Sequence, residues 1–533
     1  MSTVQLSDAV LALHPDDSVA LARRGLQPGD EVAAGGERVV LATAPVPRGH
    51  KVALVDLSEG SAVRKYGQTI GIASRPIAAG DHVHEHNLVS AARAGGATAT
   101  AGDAPAAPAA PPAPAAPSPA AGSAAANPPG AVPTFDGIVR PDGRVGTRNY
   151  VAVLSTVNCS ATVVRRIVSA FSAPGALDEH PGVDGVIAIT HGTGCGLSAD
   201  GEGLKLLRRT LAGYARHPNV GGVVVVGLGC EVNQIAGLVD RFDLPDSTPV
   251  RHMTIQHLGG SVATVRAGVE EVSEMLRVAG TVQRRAVPAS ALMLGLNCGG
   301  SDAWSGVSAN PVLGIAVDRL VACGGTAVLA ETPEIHGAEH LLTSRAASPA
   351  IAQQLLDRVA WWERYAAAEG GNLNNNPSPG NRAGGVTTIE EKSLGAVAKG
   401  GSSPLRAVVG YAEPVTEQGL VFMDTPGYDP VSVTGIVAGG ANVVCFTTGR
   451  GSVFGCKPAP SLKLATTEEL YRRMPDDMDV NCGPVLDGRA SVSELGEALF
   501  DEILAVASGQ RTKSEELDFG DQEFTPWQLG AVM

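Results

Sequence analysis

Three histidines stand two residues apart in the segment 80–87, at His82, His84 and His86. On an extended strand the side-chain period of two would put all three imidazoles on one face. Three convergent imidazoles suit a divalent first-row metal, against the bland alternative of a solvated strand end. Four cysteines share a second pattern: Cys159, Cys195, Cys230 and Cys298 each follow a short apolar run and sit in a turn of small or polar residues. For any one of them a buried structural thiol is the simpler reading, but four together point to a site. Thiolates are soft ligands, so Cys195, Cys230 and Cys298 are further candidate metal ligands. An iron–sulfur cluster gathered from separate loops is the lesser alternative. No C-x-x-C pair occurs, so neither a zinc ribbon nor a dithiol redox site is supported. Acid/base groups accompany the thiols: His191 beside Cys195, Glu231 after Cys230, and Glu334 after a further apolar run at 327–330. Arg144 and Arg148 offer guanidinium forks for a carboxylate, or ordinary salt bridges. His50, alone after a turn, reads by itself as structural.

These residues need elements to hold them. The apolar runs 151–155, 186–189, 223–226 and 292–296 are short and continuous, as buried parallel strands are. Helix-periodic segments follow at 161–171 and 203–216, and strand–turn–helix order predicts parallel, Rossmann-like sheets in an α/β body. The carboxyl ends of such strands form the ligand crevice, so the four cysteine turns are expected on one composite rim. The first 92 residues differ: β-like runs at 37–41, 51–55 and 69–73 separated by turns predict a small all-β module. Residues 93–133, dominated by Ala and Pro, cannot form a core and read as a disordered tether. The α/β body is expected over 134–384 and a C-terminal α/β domain over 385–533, after a second low-complexity break at 370–381.

Composition limits the partners. A length of 533 residues with 44% hydrophobic and 18% charged residues describes a multidomain globular protein with room for a large interior. A net charge of −14 argues against nucleic acid and against an anionic membrane surface. No apolar stretch approaches a membrane span and no signal pattern opens the chain, so a cytoplasmic location is expected. Glycine-rich turns at 439–440 and 449–451 lack the spacing of a nucleotide fingerprint. A small molecule is the expected partner.

Eight motifs in order then narrow the reading: 143–150 (GRVGTRNY), 156–160 (TVNCS), 191–195 (HGTGC), 297–302 (NCGGSD), 376–381 (NPSPGN), 385–395 (GVTTIEEKSLG), 423–427 (MDTPG) and 446–451 (FTTGRG). Together they resemble the altronate/galactarate dehydratase family. The first module resembles that family's SAF, or β-clip, domain through 49–54, Lys65-Tyr66-Gly67 and the triple histidine, the last of these looking more like the altronate branch. The long Ala/Pro tether departs from the family pattern. The resemblance implies an Fe2+- or Mn2+-dependent hydro-lyase that converts a sugar acid such as altronate to a 2-keto-3-deoxy acid, and a homo-oligomer such as a dimer. It further implies catalytic roles among His50, Lys65, Tyr66, His191 and Glu334, and substrate contacts from Arg144, Arg148, Asn158, Asn297, Ser301 and Asp302. Galactarate dehydration and sulfolactate sulfo-lyase activity are alternatives on the same scaffold. A non-catalytic sugar-acid-binding protein is the alternative of another class.

Overall fold

The computed structural model describes residues 9–33, 39–91, 132–244, 248–530 and 532. The expected tether lies outside these apart from Val132 and Pro133, as do the first two residues of the run 37–41. The chain forms two compact units: residues 1–133 with 374–394, and residues 134–373 with 395–533. The segment 374–394 therefore belongs with the N-terminal module, and the division expected at 384/385 falls inside it.

The first unit is built of short antiparallel strands, as its turn-punctuated sequence requires. Val10–Leu11, Val19–Ala22, Lys51–Ala53 and His82–Val83 form one sheet, and Ala62–Lys65, Gln68–Ala73 and Leu88–Val89 another. Val10, Ala20, Ala22, Leu26, Val46 and Val52 close the core of the first sheet. Two lysines are buried in this unit as well, and both point at a carboxylate from the returning segment. Lys51 Nζ lies 2.8 Å from one Glu391 oxygen and Lys65 Nζ 2.9 Å from the other. Burial by itself would raise the Glu391 carboxyl, but the two ammonium groups outweigh it and hold the pKa at about 2.

The second unit contains two parallel sheets. In the four-stranded sheet β1 (Tyr150–Ser155), β2 (Gly185–Ile189), β3 (Val220–Gly227) and β4 (Val250–Thr254) lie in the order β2-β1-β3-β4. The seven-stranded sheet is made of β5 (Met293–Cys298), β6 (Thr326–Leu329), β7 (Leu405–Val409), β8 (Gly419–Met423), β9 (Val443–Thr448), β10 (Ser461–Ala465) and β11 (Val480–Asn481). Its order is β7-β8-β6-β5-β9-β10-β11 and every pairing is parallel. The predicted runs coincide with these strands because both faces of each sheet are covered. On β1 and β3 the period of two sends Ala152, Leu154, Val223 and Val225 into one core with Leu207, Leu211, Val433, Val437 and Phe446. Val151, Val153, Val224 and Val226 go to the other face with Val164, Ile167, Val272 and Leu276. Helices α1 (Asn158–Ser169) and α2 (Glu202–Ala215) follow the first two cysteine-bearing strands as the periodicity predicts, each burying one apolar stripe. No helix among the described residues is long and apolar enough to cross a membrane.

Candidate active site

The histidines of the first unit do converge, by a route the strand argument did not foresee. The strand ends at Val83, and His84 and His86 stand in the turn beyond it, so the period of two never applies to them. Tight turning brings the rings together instead. His50 Nδ1 is 3.0 Å from His82 Nε2, and the His50–His84 and His82–His84 ring centroids are 4.8 and 5.6 Å apart in stacked arrangements. His86 stacks obliquely on His82 at 5.3 Å and is exposed. Burial first, then the neighbouring imidazoles, pushes His82 down to about 3, while burial and Lys51 push His84 down to about 4. Neutral imidazoles carry the lone pairs that a metal needs. As they stand the nitrogens are engaged: His84 Nε2 meets the Arg382 carbonyl at 3.0 Å and His50 Nε2 the Ala383 carbonyl at 3.4 Å. A cleft of about 670 Å³ opens over His50 and His84, lined also by Glu85, Asn375, Pro377 and Arg382. Arg382 pairs with Glu85 and donates from Nε to the Pro377 carbonyl.

In the second unit the carboxyl ends of β5 and β6 build a different cluster. Cys298, the last residue of β5, and Glu331 and Glu334, just beyond β6, are all buried and place one ligand atom each within 4.8 Å of one another. Cys298 Sγ is 3.4 Å from Glu334 Oε2, and Lys399 Nζ is 2.9 Å from that sulfur and 3.4 Å from Glu331 Oε2. Burial would lower the Lys399 ammonium, but Cys298 and the two carboxylates override it and hold it above its ordinary range. Glu331 adopts φ 70°, a left-handed conformation that costs a non-glycine residue about 1–3 kcal/mol and is characteristic of functional sites. This donor set, one thiol and two carboxylates, could hold a metal ion.

Several expected site residues have partners within the protein. Arg144 and Arg148 precede β1 and so lie at the amino edge of the sheet, opposite the rim where the cysteine turns emerge. Arg148 is buried and commits its guanidinium to Glu515, at 2.6 and 2.8 Å, and to the carbonyls of Thr147, Val506 and Gln510. It ties chain segments together and has no fork left for a substrate. Arg144 pairs with Asp142 and borders a cleft of about 510 Å³ with Arg216 and His217. Lys65, expected near proton transfer, is buried on Glu391, and its neighbour Tyr66 sits at φ 63° with its hydroxyl pKa raised by burial. His191 is also enclosed: Nε2 faces the Ser155 carbonyl at 3.0 Å and Nδ1 accepts from Thr193 N–H at 3.3 Å. Asp302 accepts from Ser305, Thr466 and the Trp304 N–H, organising its own turn. Asn297 donates to Asp429 at 3.2 Å, Ser301, next to Asp302 in the chain, is buried, and exposed Asn158 reaches the His191 carbonyl at 3.4 Å. Glu334 alone of the expected proton-transfer groups in this unit joins the buried cluster.

The four cysteines divide between the sheets. Cys159, Cys195 and Cys230 are exposed beyond adjacent strands of the four-stranded sheet, whereas Cys298 is buried at the end of the seven-stranded one. One composite rim is therefore replaced by two. Sequence reasoning did not assign roles to Glu331, Lys399, Arg382, Lys51 or Glu391. A lysine inside an apolar helical stretch, as at 399, and the Glu-x-x-Glu spacing at 331–334 were the available signals.

Comparison with known proteins agrees with this architecture. The altronate/galactarate dehydratase SAF domain matches residues 8–91. The second domain of D-galactarate dehydratase/altronate hydrolase matches 137–280, and the C-terminal domain of D-galactarate/altronate dehydratase 289–532. Altronate dehydratase of Bacillus subtilis is 34% identical over 512 residues, covering 96% of this chain and 97% of its own. Altronate dehydratase of Escherichia coli is 36% identical over 509 residues, with the same coverage. Galactarate dehydratase (L-threo-forming) of Escherichia coli is 36% identical over 514 residues, 94% of this chain and 93% of its own. Domain models of one dehydratase family thus cover the β module and the α/β body in turn, which places the chain among the lyases. The chain belongs to the altronate/galactarate dehydratase family, and it is a hydro-lyase of the sugar-acid class.

Proposed function

We propose that the protein dehydrates an aldonate such as altronate, with a divalent iron or manganese ion held by His82 and His84 and with His50 beside them as the proton acceptor. The observation that carries this reading is the histidine cleft: three neutral imidazoles within stacking distance of one another, two of which, His50 and His84, wall a cavity of sugar-acid size. Ring rotation about the side-chain torsions is the adjustment such a donor set needs to turn its nitrogens toward one ion. When bound, the ion supplies Lewis-acid stabilisation of the charge that builds on the carboxylate and α-hydroxyl. Arg382 lines the same cleft, so it takes the carboxylate-orienting role expected of Arg144 and Arg148. His50 accepts the proton from the α-carbon, the β-hydroxyl departs as water with a proton delivered to it, and the enol left behind tautomerises to the 2-keto-3-deoxy acid.

The test is keto-acid formation by full-length protein from altronate, galactarate and sulfolactate in parallel, with sulfite measured for the last. Keto acid from altronate, lost on chelation and restored by Fe2+ or Mn2+, supports the proposal. Preference for galactarate would move the substrate to the aldarates, and sulfite release would replace the reaction by a sulfo-lyase. No turnover of any of them would favour a binding protein.

A further inference from the structure

We propose that Cys159, Cys195 and Cys230 form a three-thiolate site for an iron–sulfur cluster on the carboxyl edge of the four-stranded sheet. The inference does not rest on the sugar-acid reading.

Strand order creates the juxtaposition. β1 lies between β2 and β3, and neighbouring strands run about 4.8 Å apart, so the turns that follow them emerge side by side. Each delivers a cysteine: Cys159 in the first turn of α1, Cys195 beyond β2, and Cys230 beyond β3. Of the protein's eight cysteines these are the three exposed ones; the others are buried or half-buried. An exposed thiol contributes little to packing, and three of them on one rim have no structural explanation.

What holds the turns is polar and mostly buried. Asn158 N–H donates to the Thr193 carbonyl at 2.9 Å, joining the Cys159 and Cys195 turns, and Asn233 N–H donates to the Gly194 carbonyl at 3.0 Å, joining the Cys195 and Cys230 turns. The Asn233 side chain returns to the Thr156 carbonyl at 2.9 Å. Buried Glu231 accepts from Thr156 Oγ1 at 2.5 Å, Gly229 N–H at 2.6 Å and Leu228 N–H at 3.1 Å, tying the third turn to the first. Gly194, at φ 106°, packs so closely that a Cβ there would meet the Thr156 carbonyl oxygen at 2.3 Å. Desolvated hydrogen bonds are thus used to fix three loops whose thiols stay accessible, which is how ligand loops are oriented around a metal centre. His191, the adjacent imidazole, has both ring nitrogens engaged and serves the scaffold rather than the ligand set. Gln256 Nε2 approaches Cys230 Sγ at 3.6 Å, the kind of amide–sulfur hydrogen bond that tunes such clusters. Thiolate softness selects iron–sulfur, zinc or cuprous ions. Three thiolates leave one iron of a cluster open to an exogenous oxygen ligand such as an α-hydroxycarboxylate, in keeping with the exposed rim.

Full-length protein purified and reconstituted without oxygen should contain iron together with acid-labile sulfide and show broad visible absorption. Cys159→Ala, Cys195→Ala and Cys230→Ala should each remove most of the sulfide and the absorption, whereas Cys323→Ala retains both. In the reconstituted wild type these three thiols should resist alkylation, and become reactive once the iron is chelated. Iron without sulfide, zinc in its place, absorption that survives the triple substitution, or alkylation equal with and without iron would each overturn the proposal. The alkylation arm uses wild-type protein, so it decides the matter even if a variant fails to fold.

Discussion

Glu391→Gln removes the carboxylate that answers two buried ammonium groups, and its cost can be worked from the structure. The fall of the carboxyl pKa from its ordinary 4.5 to about 2 is worth about 3 kcal/mol at ~1.4 kcal/mol per pKa unit. That agrees with the roughly 3–5 kcal/mol lost when one partner of a buried ion pair is deleted. Because the folded pKa lies below the unfolded one, this stabilisation is complete above pH 4.5 and fades as pH falls toward 2. A multidomain chain has no single unfolding free energy, so the assay is native-state hydrogen exchange read at Lys51–Ala53 and Gln68–Ala73. Protection there should drop by about two orders of magnitude in Glu391→Gln at pH 7, with the amides of β1 and β3 unchanged. Lys51→Met should cost much less. Burial holds the Lys51 ammonium down to about 8, and its removal leaves Lys65 and Glu391 as a matched pair. A less than threefold change in Glu391→Gln, or an equal loss in Lys51→Met, would refute the reasoning that Glu391 anchors residues 374–394 to the module.

Alanine at His82 and His84 together should lower bound Fe2+ or Mn2+ at least about tenfold and turnover with it, since outright loss of ligands exceeds the roughly 10–100-fold effects of their supporting partners; metal analysis after dialysis reads this, and full retention would place the metal elsewhere. Arg148→Ala should leave KM for the sugar acid within about twofold while destabilising the second unit by roughly 3–5 kcal/mol, a combination that hydrogen exchange of the β1 and β3 amides and steady-state kinetics check together. Burial holds His191 down from 6.5 to about 4, so the unfolded chain takes up its proton first and stability falls as pH drops from 6.5 to 4, by about 3 kcal/mol from this group. A His191→Asn variant should show a correspondingly flatter acid limb in the hydrogen-exchange protection of the β1 and β2 amides. Lys399→Met should leave the Cys298, Glu331 and Glu334 charges without their ammonium and raise the cluster's affinity for a divalent cation, seen as extra metal bound in excess of the histidine site.

The strands and helices were legible because their signal is local: continuous valine-rich runs over 151–155 and 223–226 read as strands covered on both faces, and the helical stripe at Val163, Val164 and Ile167 faces the sheet it follows. Turn chemistry was legible too, since each cysteine motif stands where a strand must end. The triple histidine shows the limit of that logic: the cluster was anticipated, yet the strand stops at Val83 and the convergence comes from a turn and from His50, thirty-two residues earlier. Charge pairing was illegible throughout. Nothing near Arg148 in sequence announces Glu515, 367 residues away, nor does anything near Lys51 announce Glu391 at a separation of 340.

The sequence by itself determined the class of each segment and the kind of chemistry available, because hydrophobic period, turn residues and donor types are properties of neighbours along the chain. Only the tertiary structure decided which donors meet. It gave Arg148 to a structural ion pair, set Cys298 among Glu331, Glu334 and Lys399, and separated that buried thiol from the three exposed ones. The physical reason is that desolvation makes a charge or thiol depend on whatever faces it across the core, and strand order, not sequence order, fixes those partners.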